Sequence, residues 1–365
     1  MRIKWIKAQT VALITTICCC ACVAFGQEAT VVAGSERAMY ARMTARLHSP
    51  KTVIETATTP LQTWNGSFTY QGTTYTYNMV GVPPFPSSSA TIPAVIIPVK
   101  VVLSNGATYD PSTKLSNGNT VITNTVQSPI FSTSVDFTSD GVDMGSTQYI
   151  DAFRRANFWD TSGNPSHLLL GGPTVLPEQT LKVPKRSGSQ GTVFGFRAGL
   201  VDINYFDSQL QTLLTNLGIT PNVFPIFLTY DVYLTQNRRC CIGGYHSSTG
   251  LASAPQSYAH ATYVDHVGSF AQDVSALSHE VGEWADDPLV VNTNGNNTPC
   301  GTLENGDPLE NNPNFGAFSY VGSNGFTYNL QDLVTLEYFG APTTTSVGGE
   351  FTFQHETMSV CQNGS

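Results

Sequence analysis

Alternating apolar and polar positions predict strands over much of the first half of the chain. Residues 68–80 (FTYQGTTYTYNMV) alternate on both sides of a Gln-Gly turn, which predicts a hairpin. The largely apolar run 94–103 (AVIIPVKVVL) predicts a buried strand that is interrupted by Pro98 and turned by Ser104-Asn105-Gly106. We expect most aromatic residues of this half to lie in its core.

Helical periodicity becomes convincing in the middle and the second half. Apolar residues three and four apart predict helices over 147–159, 205–217 and 272–287, the second ending at Gly218 and the third at Pro288. A shorter helical pattern covers 36–47. Strands are predicted at 192–201, 223–235, 259–264 and 349–360, with irregular chain at 171–191 and 240–250.

These elements predict an α+β protein. A β-rich N-terminal half (60–170) precedes a region of mixed strands and helices (190–365), and residues 27–59 form a separate N-terminal segment. The chain has 365 residues, enough for one large domain or two coupled ones.

The first 26 residues have the pattern of an export signal. Three basic residues precede an apolar run at 11–25, and a small-x-small cleavage site, Ala24-Phe25-Gly26, ends the segment. The run is too short for a stable membrane span. We therefore expect a secreted or periplasmic protein. Lipid attachment at Cys22 is a less favoured alternative, because no leucine precedes that residue at the expected place.

The charge of the chain limits its partners. The net charge is −9, and removal of residues 1–26 takes away three positive charges and no negative ones, which leaves about −12. Such an acidic protein is poorly suited to bind nucleic acid or anionic membranes. We expect neither a nucleic-acid partner nor an integral membrane span. A peptide or cell-wall substrate would suit an exported protein.

Four cysteines remain after the signal: Cys240, Cys241, Cys300 and Cys361. An even number in an exported protein suggests two disulfides. We expect Cys240 and Cys241 not to bridge each other, since a vicinal disulfide is strained. Each should reach Cys300 or Cys361, in either order. A four-thiolate metal site is disfavoured, because thiols oxidise outside the cytoplasm.

The third predicted helix contains the pattern His-Glu-x-x-Glu. His279 and Glu283 lie one turn apart on the same face, which is a suitable spacing for two ligands of one divalent metal ion. Glu280 lies where a general base could act on water. The pattern differs from the common zinc-peptidase form, His-Glu-x-x-His, because its second ligand is a carboxylate.

An ordinary amphipathic helix would also place these charges opposite its core stripe. The density of acidic residues argues for more than that, since only 12% of the chain is charged and no Lys or Arg occurs from Gln272 to the end. Carboxylates without basic partners either face water or hold a cation. Six acidic residues lie in or just beyond the helix: Asp273, Glu280, Glu283, Asp286, Asp287 and Glu304.

A catalytic zinc ion usually has three protein ligands and one open position. Metzincin peptidases take the third ligand ten residues after the first, where this chain has Leu289, so that class is excluded. Asp287, beside Pro288, is better suited to cap the helix or to support a ligand. The candidates for the third ligand are Glu304, Asp307, Asp287, His246, His260 and His266.

With these residues in view, the chain resembles the plant phosphate-induced, Exordium-like family and its exported bacterial relatives over roughly 221–307. Trp284 and Asp286 depart from the family pattern, and the family's cysteine after Asp307 is absent. The resemblance implies a secreted, zincin-like second half, in which a small sheet carries an active-site helix. The matching segments are Cys241 with Gly244-Tyr245-His246, then HEVGE (279–283) with Asp287-Pro288, then ENGD (304–307).

We therefore expect an exported, metal-dependent hydrolase of peptidase type. One zinc ion would be held by His279, Glu283 and Glu304, with Asp307 or His246 as alternatives to Glu304. Glu280 would take a proton from the attacking water and pass it to the leaving amine, while the ion polarises the substrate carbonyl.

Two other functions compete with this one. The first is a non-catalytic wall- or glycan-binding protein, with a structural metal and the β-rich half as its recognition module. Exposed aromatic residues on that half would favour it. The second is a β-rich surface protein without metal.

Overall fold

The computed structural model describes residues 46–48, 59–70, 72–85, 88–133, 135–139, 141–159, 166–290, 303, 306–309, 316–335, 346–347 and 350–354. At 46–48, 70, 308, 346–347 and 350–351 it describes the backbone alone. The export signal, most of the predicted helix at 36–47, Glu304, Cys300 and Cys361 lie outside these residues.

The described residues contain helices α1 (Val121–Val126), α2 (Tyr149–Asn157), α3 (Ile203–Leu217) and α4 (Ser275–Asp286), and a 3₁₀ helix at Asp307–Leu309. None of these helices is long and apolar enough to cross a membrane. The strands are β1 (Arg46–His48), β2 (Thr63–Tyr70), β3 (Thr73–Val80), β4 (Ala90–Leu103), β5 (Thr108–Tyr109), β6 (Val135–Ser139), β7 (Val142–Thr147), β8 (Leu168–Val175), β9 (Gln179–Val183), β10 (Gly188–Val193), β11 (Phe196–Asp202), β12 (Phe224–Tyr230), β13 (Val232–Gln236), β14 (Arg239–Ile242), β15 (Gly244–Leu251), β16 (Ala254–Tyr263), β17 (Ala317–Val321), β18 (Thr327–Gln331), β19 (Ser346–Val347) and β20 (Glu350–Phe351).

The largest sheet joins strands from both halves of the chain. Its order is β1-β15-β16-β12-β4-β5, and β8 and β9 also pair with β4. The central neighbours β4, β12 and β16 are parallel and largely buried, as expected for strands covered on both faces. A second sheet has the order β10-β11-β13-β14, and the other strands form two-stranded ribbons. The described chain is thus β-rich with few helices, within the predicted α+β class.

Strand β4 continues through Pro98, so the interruption predicted there is wrong. β8 pairs with β4 as far as Ile96, and β9 pairs with it from Val99 onward. Pro98 lies between these two ladders, so its missing N–H removes a hydrogen bond from neither. The predicted turn after the strand is confirmed, because the Gly106 N–H donates to the Leu103 carbonyl at 2.9 Å.

Other predictions from periodicity are confirmed. The hairpin at 68–80 is the pair β2 and β3, and its Phe68 and Tyr77 are buried. The three main helices are α2, α3 and α4. Gly218 ends α3 in the left-handed conformation (φ 63°).

Predicted boundaries are wrong where one strand is in fact two. The segment 192–201 contains parts of two antiparallel strands, β10 and β11, and 223–235 spans β12 and β13, which lie in different sheets. The chain changes sheet at Asp231, which has φ 51°. The segments 171–191 and 240–250 are mostly strand. Their glycine- and serine-rich composition predicts turns, but pairing with neighbouring strands overrides it.

Near the two ends of the chain, the described residues include parts of two predicted elements. Residues 46–48 form β1, so the end of the 36–47 pattern is strand rather than helix. Of the predicted strand at 349–360, the described part contains β20.

Helix α4 is enclosed by other elements. It lies against β15 and β16 and also contacts α2, β18 and β3. Trp284 stacks on Phe224 of β12 with 3.7 Å between ring centroids, and its Nε1–H donates to Ser257 Oγ at 3.0 Å. Every residue of the helix is buried. The main sheet therefore forms the platform that positions this helix.

Candidate metal centre

The acidic face of α4 points into the protein rather than into water. Glu280, Glu283 and Asp286 are at most 3% exposed, and Asp287 is fully buried. The interpretation of these charges as the solvated side of an amphipathic helix is therefore wrong. Burial of several carboxylates is unfavourable unless protons or cations offset their charge.

His279 and Glu283 meet across one helical turn, with 3.1 Å between Nε2 and Oε2. Asp307, at the start of the 3₁₀ helix, brings Oδ1 to 3.6 Å from the same Nε2. The Gly306 N–H donates to Glu283 Oε1 at 3.2 Å, which holds this segment on α4. The His279 side chain is fully buried, whereas that of Asp307 is 45% exposed. The group therefore meets solvent on the Asp307 side.

His246 reaches the same region from β15. Its Nε2 lies 3.1 Å from the Asp287 carbonyl oxygen, and its Nδ1 lies 3.3 Å from Glu280 Oε2. A carbonyl oxygen only accepts hydrogen bonds, so Nε2 carries a hydrogen. Nδ1 faces the Glu280 carboxylate, and a proton or a cation must lie between this nitrogen and the carboxylate oxygen.

The histidine–carboxylate cluster, as we call His246, His279, Glu280, Glu283 and Asp307, contains two overlapping groups that could hold a metal ion. One is His279, Glu283 and Asp307, the other is His246, Glu280 and Glu283, and the ligand atoms within each group lie within 4.8 Å of one another. Imidazole nitrogens and carboxylate oxygens are ligands that zinc accepts. Two ligands of a tetrahedral zinc ion lie about 3.3 Å apart, close to the separations of 3.1, 3.3 and 3.6 Å found here. The donor types and their spacing fit a metal ion.

Burial keeps His279 in the form that binds metal. It lowers the pKa of His279 to about 4, against a smaller opposing effect of the Asp307 carboxylate. Burial also raises the pKa of Glu283 well above its usual range, and the charges of Asp286 and Asp287 add to this although backbone N–H groups oppose it. At neutral pH His279 is therefore unprotonated, as a metal ligand must be, and a nearby cation would favour the charged form of Glu283.

Two glycines allow the backbone to approach the cluster. A Cβ at Gly306 would lie 2.6 Å from His279 Nδ1, and one at Gly244 would lie 2.7 Å from Glu280 Oε1. Gln331, on β18, donates from Nε2 to the Gly306 carbonyl at 3.2 Å. No motif in the sequence pointed to Gln331, because it lies far along the chain and joins the site through tertiary packing alone.

Glu304, the predicted third ligand, lies outside the described residues, and its role stays a prediction. Of its two alternatives, Asp307 lies with His279 and Glu283, and His246 contacts Glu280. The structure therefore brings both alternatives to the cluster.

The other candidates do not join either group. His260 is fully buried with its Nε2 3.0 Å from Thr229 Oγ1, and His266 stacks on Phe196 at 3.9 Å between ring centroids. Asp287 lies at the end of α4, and its carbonyl is the partner of His246. Its predicted place at the helix end is confirmed.

The disulfide prediction is wrong for Cys240 and Cys241. These neighbours lie at disulfide distance from each other, with their Cα atoms 3.0 Å apart across a cis peptide bond. The prediction rested on the strain expected of a vicinal disulfide. Cys300 and Cys361 lie outside the described residues, and their pairing stays untested.

Comparisons of the chain with known protein families, with curated proteins and with solved structures found no match. The resemblance to the Exordium-like family over 221–307 stays a prediction. The function of the chain is therefore inferred from the chemistry of the histidine–carboxylate cluster.

Proposed function

We propose that this chain is an exported metal-dependent hydrolase of peptidase type, with a zinc ion at the His-Glu-x-x-Glu helix. The observation that carries the proposal is the burial of His279, Glu280 and Glu283 in one cluster, in a part of the chain without Lys or Arg from Gln272 onward. Exposed carboxylates would need no cation, but buried carboxylates are stabilised by one. A zincin-like second half, with the helix on a sheet, belongs to the same proposal.

The ligands in this proposal come from two segments. His279 and Glu283 supply two from α4, and Asp307 is the described residue best placed to supply the third. Glu304 is its alternative. The exposed side of Asp307 leaves a direction from which a substrate carbonyl can approach.

A bound divalent ion would supply Lewis-acid chemistry, polarising the substrate carbonyl and making water more acidic. Glu280 is the general base, which takes a proton from the attacking water and passes it to the leaving amine. His246 orients the Glu280 carboxylate through the 3.3 Å contact, and the Asp287 carbonyl fixes the His246 ring. The carboxylate ligand Glu283 donates more negative charge than a histidine would, so we expect slow or specialised turnover.

The structure offers little for the competing function of wall or glycan recognition by aromatic side chains. The aromatic side chains described in the β2–β3 hairpin pack inward, where Phe68 and Tyr77 join a buried cluster with Phe158 and Leu303. Within the described residues before 170, Phe85 is the large aromatic residue that is clearly exposed.

The test is the substitution Glu280→Gln, which keeps the shape of the side chain and removes the proton acceptor. Peptide cleavage by the zinc-loaded protein should fall by about 10²–10⁴, while zinc content and melting temperature hold. The matched control is Asp286→Asn, which removes a buried charge from the same helix outside both metal-binding groups. It should keep most of the activity. His279→Ala should lose both zinc and activity.

Two outcomes would contradict the proposal. Equal loss of cleavage in the Asp286→Asn control would show that charge on the helix, rather than a base at Glu280, matters. The second outcome is a wild-type protein that carries zinc but cleaves nothing in a broad peptide screen, and that keeps its zinc content and melting temperature in Glu280→Gln. Such a protein would be the non-catalytic one with a structural metal.

A further inference from the structure

The histidine–carboxylate cluster offers a second place for an ion beside the first. We propose that a second divalent ion binds His246, Glu280 and Glu283 when metal is in excess, and that it suppresses hydrolysis by occupying the general base. This inference rests on the proposed function and adds a regulation of the same site. Peptide cleavage should therefore rise with metal concentration as the first ion binds and fall again as the second ion binds.

The orientation of His246 is that of a metal ligand. Histidine ligands usually donate their second ring N–H to a carbonyl or carboxylate, and His246 Nε2 faces the Asp287 carbonyl at 3.1 Å. Its Nδ1 faces Glu280 Oε2 with a separation of 3.3 Å. That separation is about the edge length of a tetrahedral zinc site. A divalent ion can therefore take the place of the proton that otherwise bridges the two groups.

Glu283 belongs to both groups. A carboxylate has two oxygens, and a carboxylate shared by two ions holds them about 3.5–4 Å apart in two-metal sites. On the first side Glu283 Oε2 lies 3.1 Å from His279 Nε2. The same side chain can thus connect both ions.

The charge balance favours a second cation. Four carboxylates are buried within two turns at the end of α4: Glu280, Glu283, Asp286 and Asp287. Asp307 adds a fifth, with its Oδ1 3.6 Å from His279 Nε2. One divalent ion leaves this set of carboxylates negative when all are ionised, and no Lys or Arg follows Gln272 in the chain. The second ion binds more weakly than the first, because it must displace the contact between His246 and Glu280.

The consequence for catalysis follows from the lone pairs of Glu280. A carboxylate oxygen that binds an ion is a poor proton acceptor, so water cannot be deprotonated there. Hydrolysis stops while the first ion remains in place.

The experiment measures zinc binding to the mature full-length protein by calorimetry and elemental analysis, and peptide cleavage over the same range of zinc chloride concentrations. Two ions per chain are expected, one tight and one weak, with cleavage falling as the weak site fills. In His246→Ala the weak site should lose more than about tenfold in affinity, and the falling phase should move by the same factor. His266→Ala is the matched control, because it removes a histidine outside the cluster, and it should keep both sites.

Each other outcome decides the inference. One ion per chain with normal cleavage would overturn it and leave the proposed hydrolase standing, whereas absence of any bound ion would remove both. Two ions with an unchanged falling phase in His246→Ala would also overturn it. If His246→Ala does not fold, zinc binding is measured in Glu280→Gln instead, without cleavage, because this variant lacks the general base. The weak site should then weaken and the tight site persist, and equal affinity for the second ion would contradict the inference.

Discussion

At the scale of single residues, the site is built from side chains that the chain brings from three segments. His246 comes from β15, His279 and Glu283 come from α4, and Asp307 comes from the 3₁₀ helix. The pair on α4 is readable from spacing alone, because residues four apart on a helix share a face. Which residue completes the ligand set depends on how the later segment returns to the helix.

The first prediction compares Asp307→Ala with Glu304→Ala. Asp307→Ala should weaken zinc binding by more than about tenfold, because its Oδ1 lies 3.6 Å from His279 Nε2 in the group proposed to hold the ion. Glu304→Ala should leave zinc bound. The measurement is zinc content after dialysis against a chelator of known affinity, and each variant serves as the control for the other. Loss of zinc in Glu304→Ala alone would assign the third ligand to that residue.

Residue chemistry could be predicted from the sequence only where it was local. The helical spacing identified His279, Glu280 and Glu283, and a Gly-Tyr-His segment drew attention to His246. The contact of His246 with Glu280 and the place of Gln331 against Gly306 arise from tertiary packing between distant segments. No periodicity encodes such contacts.

At the scale of elements, α4 depends on its packing more than on its own helix propensity. Its N-cap residue, Val274, makes no side-chain capping hydrogen bond. The helix is instead held by buried contacts. One of them is the stack of the Trp284 ring on the Phe224 ring.

The second prediction is that Trp284→Ala lowers the free energy of unfolding by about 3–5 kcal/mol, the usual effect of removing a large buried aromatic side chain. The substitution also removes the hydrogen bond that Trp284 Nε1–H donates to Ser257 Oγ. Urea unfolding of the metal-free protein measures it. Phe85→Ala is the control, because Phe85 is 60% exposed, and it should change stability by less than about 0.5 kcal/mol. Similar effects in the two variants would contradict the role given to the stack.

Element prediction succeeded where periodicity was strong and failed where backbone pairing decided. Helices α2, α3 and α4 were found because their apolar residues recur at helical spacing, whereas the six-residue helix α1 was not predicted. Strands β10, β14 and β15 were missed because their glycine, serine and cysteine residues resemble turn composition. Their strand conformation comes from hydrogen bonds to neighbours that the local sequence does not reveal.

At the scale of the whole molecule, stability should depend on pH through buried carboxyl groups outside the cluster. Asp273 precedes α4 and accepts hydrogen bonds from the Val274 N–H and from the backbone and side chain of Asn329. Burial, opposed by these hydrogen bonds, raises the pKa of Asp273 from 3.8 to about 7. Below the unfolded value both states hold the proton, and the contribution of Asp273 to stability is fully present. Between the two values the folded state holds more proton, so stability falls as pH rises towards 7.

The third prediction is that Asp273→Asn reduces this dependence. The free energy of unfolding of the metal-free wild type should fall by up to about 1.4 kcal/mol per pH unit from this group between pH 4 and 7, and the variant should lose that share of the slope. Urea unfolding at several pH values in the presence of a chelator measures it. Asp136→Asn, at an exposed position, is the control and should keep the wild-type slope. An unchanged slope in Asp273→Asn would contradict the prediction.

The main sheet has a consequence for how the chain can be divided. Ala94 of β4 pairs with Phe224 of β12, 130 positions later. A fragment covering 190–365 would carry α4 and both histidines of the cluster, yet it would leave one edge of β12 without its neighbour. An apolar strand with an open edge is a template for association with other chains. Such a fragment should aggregate, and during synthesis the sheet can close only after the chain has been made past residue 224, which favours slow folding.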